Sequence, residues 1–439
     1  MINRRNSGEI VVWCAALLPV LLWFAVPVDP AGQRGAAGAI VADIGQLTGL
    51  VGMAMFAIAF VLASRIIVIE NLLGGLDKVY QVHHRLGRAA FVLLVIHPLA
   101  HALRFVPHRF EKALTYLLPI HRELAMDLGV YAFWGLLVLM IPTLFVTIAY
   151  DKWKLSHKVL GAVLIVGTVH MLTVQDTPGR NVAINANPLL LSYMTALAAL
   201  GILSFVYKGA VLPLLSRRNA FTVEAIERPN ERVLQIELSS RQRRMDFAPG
   251  QFIFVSFDQD GLSRESHPFT ICSVPKQDRL ILTVKSLGDF TKELHRRLRP
   301  GARTLVEGPY GRFDYRTGST EQIWLAAGVG IAPFLSWARH LASVESRIRR
   351  ARLFYCVRRR DDAVHYDEFR RIAARLPNLD AALVCSEEKG HLKAEDLGDV
   401  RDADIFMCGP KRFTKDLKAQ FLRLGVARDR IHFEDFEFR

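Results

Sequence analysis

Six histidines lie in two stretches apolar enough to cross a membrane. Residues 82–105, VHHRLGRAAFVLLVIHPLAHALRF, carry His83, His84, His97 and His101, and residues 153–175, WKLSHKVLGAVLIVGTVHMLTVQ, carry His157 and His170. Ligating side chains at membrane depth are costly, so they point to function. His84 and His97 are 13 residues apart, as are His157 and His170. At 1.5 Å per residue, the histidines of each pair lie about 20 Å apart along a helix, one toward each face of a hydrocarbon core of about 30 Å. Two such helices side by side offer two stacked bis-histidine sites suited to haem iron, because imidazole is a common axial ligand and needs one free ring nitrogen. The inner ligand on the first helix has two candidates. Thirteen residues leave two side chains of an ideal helix about 140° apart, and fourteen leave about 40°. His83 to His97 is fourteen. Capping or bonding backbone carbonyls is the alternative use of such histidines; the matched pairs on two helices favour haem ligation.

Three segments carry chemistry in the second half of the chain. Residues 267–273, HPFTICS, are followed by residues 285–294, KSLGDFTKEL. In a flavin site an extended strand lies along the isoalloxazine, and a small-residue turn opening a helix takes the pyrophosphate on its N–H groups. On that reading Phe269 and Thr270 touch the ring, while Gly288 and Thr291 lie near the phosphates. An ordinary strand and a capped helix are the alternative. Residues 325–334, LAAGVGIAPF, set Gly328 and Gly330 between a predicted strand and a helix. That context makes a glycine pair informative, although the full GxGxxG pattern is missing and a tight structural turn would look the same. The strand LFYCV ends on Arg358, Arg359 and Arg360. Arginines at the end of a second strand suit an adenosine 2′-phosphate and so NADPH over NADH, with a solvated charge run as the alternative.

The elements that must position these residues fall into two halves. Before residue 208 there are six candidate spans: 10–28, 44–69, 82–103, 128–150, 153–174 and 189–207. Each is long enough to cross a bilayer. Arg4 and Arg5 before the first could mark a signal peptide, but its apolar run is too long for one and reads as an anchor. With the N-terminus inside, eleven lysines and arginines collect near the inner ends and six near the outer ends. Six spans then return the chain to the cytoplasm. The third and fifth spans run in the same direction, which pairs the histidines level by level. Residues 208–220, KGAVLPLLSRRNA, read as a linker. Beyond it the runs FTVEAIE, RVLQIELS, QFIFVSF, LILTVKSL and ARTLVEG suggest a small antiparallel barrel. IWLAAG, RLFYCV, AALVCS and DIFMCG, separated by helical stretches, suggest a parallel α/β sheet. The five cysteines show no CxxC spacing, which argues against zinc ribbons and iron–sulfur clusters. A net charge of +14 fits anionic lipid and a phosphorylated cofactor. Without a basic run interleaved with aromatics, it does not indicate nucleic acid.

Together these pieces resemble the ferric reductase and NADPH oxidase superfamily, and most closely its bacterial ferric-reductase-like members, over nearly the whole chain. The resemblance implies a multidomain membrane protein: a six-helix transmembrane haem bundle over 1–210, an antiparallel β-barrel FAD domain over 217–315 and an α/β Rossmann-like NADP domain over 320–439. HPFT at His267, Pro268, Phe269 and Thr270 looks like the family's flavin motif, with Ser273, Lys285, Gly288 and Thr291 as further FAD contacts. GPYG at 308–311 looks like the loop closing its barrel. GVGIAPF, with Gly328, Gly330, Ile331 and Pro333, and CGP, with Cys408, Gly409 and Pro410, resemble the nicotinamide nucleotide motifs, to which Arg358 and Arg359 would add the 2′-phosphate contact. The terminal FEDFEFR resembles the family's aromatic end, with Phe438 stacking near the flavin. In that family the haem ligands lie on the third and fifth helices 13 or 14 residues apart. The HR pair His84–Arg85 favours His84, which implies His84 with His157 inside and His97 with His170 outside. His101 resembles a histidine that oxygen-reducing members carry near the outer haem.

The implied cofactors are NADPH, FAD and two haem b groups. The implied activity is electron transfer from cytoplasmic NADPH to an acceptor on the outer face of the inner (plasma) membrane, either a ferric or other metal chelate or oxygen giving superoxide. Two competing readings are an electron donor to a periplasmic or membrane partner protein, and a non-enzymatic haem-binding or proton-conducting membrane module. A flavin and nucleotide half argues against the last, since a channel has no use for a hydride donor.

Overall fold

A computed structural model describes residues 4–25, 36–106, 109–121, 123–146, 150–174, 187–217, 219–240 and 244–434. The chain divides into two compact units, Met1–Gly74 with Lys78–Leu212, and Gly75–Asp77 with Pro213–Arg439.

The first unit is helical: α1 (Arg4–Phe24), α2 (Ala36–Ala63), α3 (Ile67–Leu73), α4 (Leu76–Leu103), α5 (Phe110–Thr115), α6 (Leu124–Phe145), α7 (Tyr150–Thr173) and α8 (Pro188–Val206). All but α3 and α5 are long and apolar enough to cross a membrane, as the hydropathy predicts. α2 is the central helix: every residue from 50 to 59 is buried. It ends earlier than the expected 44–69 span. The Ser64 hydroxyl donates to the Val61 carbonyl at 2.6 Å and Arg65 takes φ +60°, so the helix stops and restarts as α3. α8 begins with a cap: the Asn187 side chain accepts from the Leu190 N–H at 3.0 Å, ahead of Pro188 in the first turn. The expected linker at 208–220 is instead helical at its start. α8 runs through a π turn at Tyr207–Val211 into α9 (Leu212–Ser216), where Pro213 removes a backbone donor.

The second unit holds two sheets. β1 (Ala220–Asn230), β2 (Val233–Ser239), β3 (Phe252–Asp258), β4 (His267–Thr270), β5 (Arg279–Lys285) and β6 (Arg303–Tyr310) pair antiparallel in the order β4-β3-β6-β1-β2-β5, with α10 (Asp289–Arg297) before β6. An antiparallel bridge from Ile271 to Leu282 joins the edge strands, and the Cys272 N–H donates to the Ile281 carbonyl at 2.7 Å. The sheet therefore closes into a barrel over Ile236, Leu238, Ile253, Val255 and Phe257. The second sheet is parallel: β7 (Glu321–Ala327), α11 (Ala332–Leu341), β8 (Arg350–Val357), α12 (Tyr366–Ala373), β9 (Leu379–Cys385), α13 (Ser386–Lys389), β10 (Asp404–Cys408), α14 (Lys411–Arg423) and β11 (Ile431–Phe433). Its order, β11-β10-β7-β8-β9, reverses between β7 and β10. Trp324, Phe334, Trp337, Tyr355 and Phe406 fill the core beneath it. In an open parallel sheet ligands bind beyond the carboxyl ends of the strands at such a reversal.

Candidate haem, flavin and nucleotide sites

In the first unit α4 and α7 bring their histidines opposite one another, ring edge to ring, at two levels. The ring centroids of His97 and His170 are 6.3 Å apart, and those of His83 and His157 are also 6.3 Å apart. Two metal–imidazole bonds of about 2 Å, each extended by about 1 Å from nitrogen to ring centre, span about 6 Å. The ring separation of either pair matches that span. His83 holds this separation from His157, and His84, expected there from the HR pair, stands beside it, its ring 5.8 Å from that of His83. The reason is angular. Fourteen residues keep His83 and His97 on one side of α4, whereas thirteen turn His84 off that line.

α2 fixes both rings with the same repeat. His83 Nδ1 bonds the Ala59 carbonyl at 2.9 Å and His97 Nδ1 bonds the Gly45 carbonyl at 2.7 Å, acceptors that are also fourteen residues apart. His170 Nδ1 bonds the Ala125 carbonyl at 2.8 Å. A carbonyl only accepts, so Nδ1 carries the proton in each neutral ring and Nε2 keeps its lone pair for a metal. His157 is held differently, stacked on Trp153 at 5.1 Å and 22°. Small residues make the approach close enough: a Cβ at Gly49 would lie 2.5 Å from His97 Nδ1, and one at Gly129 would lie 2.6 Å from His170 Cε1. His83 and His157 share a feature of the chain. Each is followed four residues later, on the same helix face, by a glycine, Gly87 and Gly161. A Cβ at Gly87 would meet nothing within 4 Å, so there is open space beside His83.

A cleft surrounds the His97–His170 pair. Its walls are mostly apolar, with Met53, Phe56, Leu94 and Leu136, and its polar lining includes His101 and Tyr116. His101 is buried with its ring 5.0 Å from that of His97. Arg104 donates to the Tyr116 hydroxyl at 3.3 Å. The His97–His170 pair, the backbone carbonyls that orient its rings and the cleft around it fit a haem group.

In the second unit the flavin-type segments meet at the barrel edge. Pairing of β3 with β4 sets Pro268 opposite Phe254 and Thr270 opposite Phe252, on the outer face. Phe252, Phe254 and Tyr310 form an aromatic group there, with centroids 5.8–6.1 Å apart, which the sequence reading missed. Alternation sends Phe269 the other way, into the barrel core, where it meets Phe257. His267 stacks on Phe290 at 3.6 Å. Strand geometry thus separates Phe269 from Thr270, although both were expected on the ring. At the start of α10 the Thr291 hydroxyl accepts from the N–H groups of Leu287 and Gly288 at 2.9 and 3.0 Å, so it shapes the turn before the helix. Ser273 faces the nucleotide half, its carbonyl accepting from the Ser336 hydroxyl at 2.9 Å.

The nucleotide motifs converge at the reversal of the parallel sheet. Gly328 has φ +56°, a conformation that favours glycine. A Cβ at Gly330 would lie 2.2 Å from the Cys408 carbonyl oxygen, so the turn after β7 and the Cys408–Gly409–Pro410 turn after β10 pack backbone to backbone. Ile331 and Pro333 are buried at the start of α11. Lys285, expected at the flavin, reaches this place: a Cβ on Gly328 would lie 3.8 Å from its Nζ. Burial, with the Glu434 carboxylate nearby, pushes the Cys408 thiol well above its ordinary value and keeps it protonated. Arg358 and Arg359 follow β8 as expected, but Arg358 Nε pairs with Glu387 Oε1 at 2.7 Å. Phe438 lies outside the described residues.

Comparison with known proteins agrees with this division. Residues 48–168 match the family described as ferric reductase like transmembrane component, 217–314 an FAD-binding domain and 324–419 an oxidoreductase NAD-binding domain. A flavohemoprotein of Rhodopirellula baltica is 29% identical over 221 residues, covering 43% of this chain and 53% of that protein. The glycine betaine monooxygenase reductase subunit of Chromohalobacter salexigens is 27% identical over 208 residues, covering 43% of this chain and 56% of that protein. The chain thus spans little more than half the length of these relatives. Among solved structures, flavohemoglobin from Malassezia yamatoensis, with bound FAD and heme, has a TM-score of 0.50 at 15% identity, over 91% of this chain and 97% of its own. That is a likeness of fold alone.

Proposed function

The chain belongs by its domain architecture to the ferric reductase and NADPH oxidase superfamily, and on that premise we propose a transmembrane oxidoreductase that carries electrons from cytoplasmic NADPH through FAD and two b-type haems to an acceptor at the opposite face. Bound FAD would accept a hydride as an electron pair and release the electrons singly, and the haems would relay them one at a time. The residues supply placement, dryness and tuning. His83 with His157 and His97 with His170 offer Nε2 lone pairs from rings whose orientation α2, α6 and Trp153 support. The Gly328–Gly330 turn and the Cys408–Pro410 turn cradle the nucleotide, with Lys285 beside them and Arg358 and Arg359 toward the 2′-phosphate. Pro268 and Thr270, with Phe252 and Phe254, line the flavin edge. The observation that carries the reading is the recurrence of one 6.3 Å ring separation at two levels of one helix pair.

The test is anaerobic addition of NADPH to the purified full chain. Flavin absorbance should bleach first and reduced b-type haem bands should follow. Oxygen and ferric citrate are then added separately, and the faster haem reoxidation identifies the acceptor class. A preparation that binds neither haem nor flavin would end the proposal.

A further inference from the structure

The barrel and the parallel sheet are joined by a circuit of neighbouring buried and half-buried side chains that no step above uses. Thr283 of β5 shares a 3.0 Å hydrogen bond with His365 Nε2. His365 Nδ1 is 3.8 Å from Glu368 Oε2 on α12. Both Glu368 oxygens accept from Arg339 of α11, at 2.7 and 2.8 Å. Arg339 also donates to the Cys272 carbonyl at 2.8 Å, and Cys272 Sγ returns to the Thr283 hydroxyl at 3.5 Å. The circuit ends two residues after Thr270 of the flavin strand. On the other side it belongs to α11, the helix that starts at the Gly328–Gly330 turn. One turn closer to that start, the Ser336 hydroxyl donates to the Ser273 carbonyl. α11 is therefore a rod with the nucleotide cradle at one end and the end of the flavin strand bound to its side. His365 holds φ +68°, a backbone conformation uncommon for a residue with a Cβ, and such an outlier persists where its surroundings over-determine it.

We propose that Thr283, His365 and Arg339 are positioning residues that set the distance between the nicotinamide and the flavin edge, so that the circuit serves hydride transfer rather than cofactor binding. This rests on the NADPH and FAD reading above. The step it serves moves one hydride, two electrons and a proton, from dihydronicotinamide to FAD, leaving NADP⁺ and reduced flavin. Donor and acceptor must be held near 3–3.5 Å for such a transfer, and small misplacements far from the reacting atoms slow it by large factors.

The experiment uses the full chain loaded with FAD and haem, and two variants. Thr283→Val removes the hydroxyl at nearly constant volume. His365→Asn keeps a residue that tolerates the left-handed conformation but is too short to reach Thr283. Rapid mixing with NADPH and with 4-deuterated NADPH gives the rate of flavin reduction and its isotope effect, and dithionite gives reduction without a hydride donor. The expected result for both variants is flavin reduction by NADPH slowed about tenfold or more with an enlarged isotope effect, while FAD occupancy and the dithionite rate stay at wild-type values. Wild-type hydride transfer in either folded variant overturns the clamp. So does a slowing that tracks FAD loss with an unchanged isotope effect, which would make the circuit purely structural. If wild-type protein itself is not reduced by NADPH, the functional reading has failed instead.

Discussion

At the scale of single residues, the proposed inner haem level turns on the choice between His83 and His84. His83→Ala should leave one haem of two per chain by pyridine haemochrome, and His84→Ala should leave both; the reverse outcome would return the ligand to His84. Cofactor choice turns on Arg358, which is shared with Glu387. An arginine–phosphate contact is charge-assisted, and its loss costs on the order of 1.5–3 kcal/mol. Arg358→Ala with Arg359→Ala should therefore lower the NADPH to NADH ratio of kcat/KM by about ten- to a hundredfold. Glu387→Gln, which frees Arg358, should raise it. His365 links stability to acidity. Burial pushes it down to about 4, with Arg339 adding and Glu368 opposing. Its ordinary value is 6.5, so below that pH the unfolded chain takes up a proton the folded chain refuses. Its contribution is complete above about pH 6.5, falls as the pH drops toward 4, and amounts to at most about 3 kcal/mol. Thermal melts read by flavin release should show that window, and His365→Asn should flatten it.

At the scale of elements, α2 supplies the frame: its carbonyls orient two ligands and its glycines admit a ring. Gly49→Ala would drive a methyl group into His97, and overpacking of this kind costs about 1–3 kcal/mol. The variant should lose haem from the His97–His170 level while keeping that at His83–His157, which haem content and low-temperature spectra resolve. Retention of both haems with unchanged spectra would show that α2 yields at this point. In the second unit the equivalent close approach is Gly330 against the Cys408 carbonyl. There a methyl meets the Cys408–Gly409 backbone, so Gly330→Ala should weaken NADPH binding without emptying the flavin site.

At the scale of the whole molecule, direction is the open quantity that charge addresses. Eleven cationic residues against six near the expected inner and outer ends are the ground for proposing a cytoplasmic nucleotide half. Sealed inside-out vesicles should show haem reduction by added NADPH and right-side-out vesicles should not. Equal response from both would invert the topology and end the outward route for electrons.

Much of this was legible in the chain because it depends on periodicity and local chemistry. Six apolar runs must be helices where no water can satisfy backbone groups, and the β runs and glycine turns announced a barrel and a parallel sheet. The paired histidines carried the expectation of metal ligation for the same reason of cost at depth. What the chain left open were choices between neighbours. His83 and His84 differ by about 100° on one helix, and only packing of α4 against α2 gives His83 Nδ1 the Ala59 carbonyl as it gives His97 Nδ1 the Gly45 carbonyl. Thr270 and Phe269 differ by one strand position, and only the closing of the barrel sends Phe269 inward. The circuit from Thr283 to Arg339 joins residues more than fifty positions apart. No local pattern encodes such a contact; it exists because two separately legible sheets pack together.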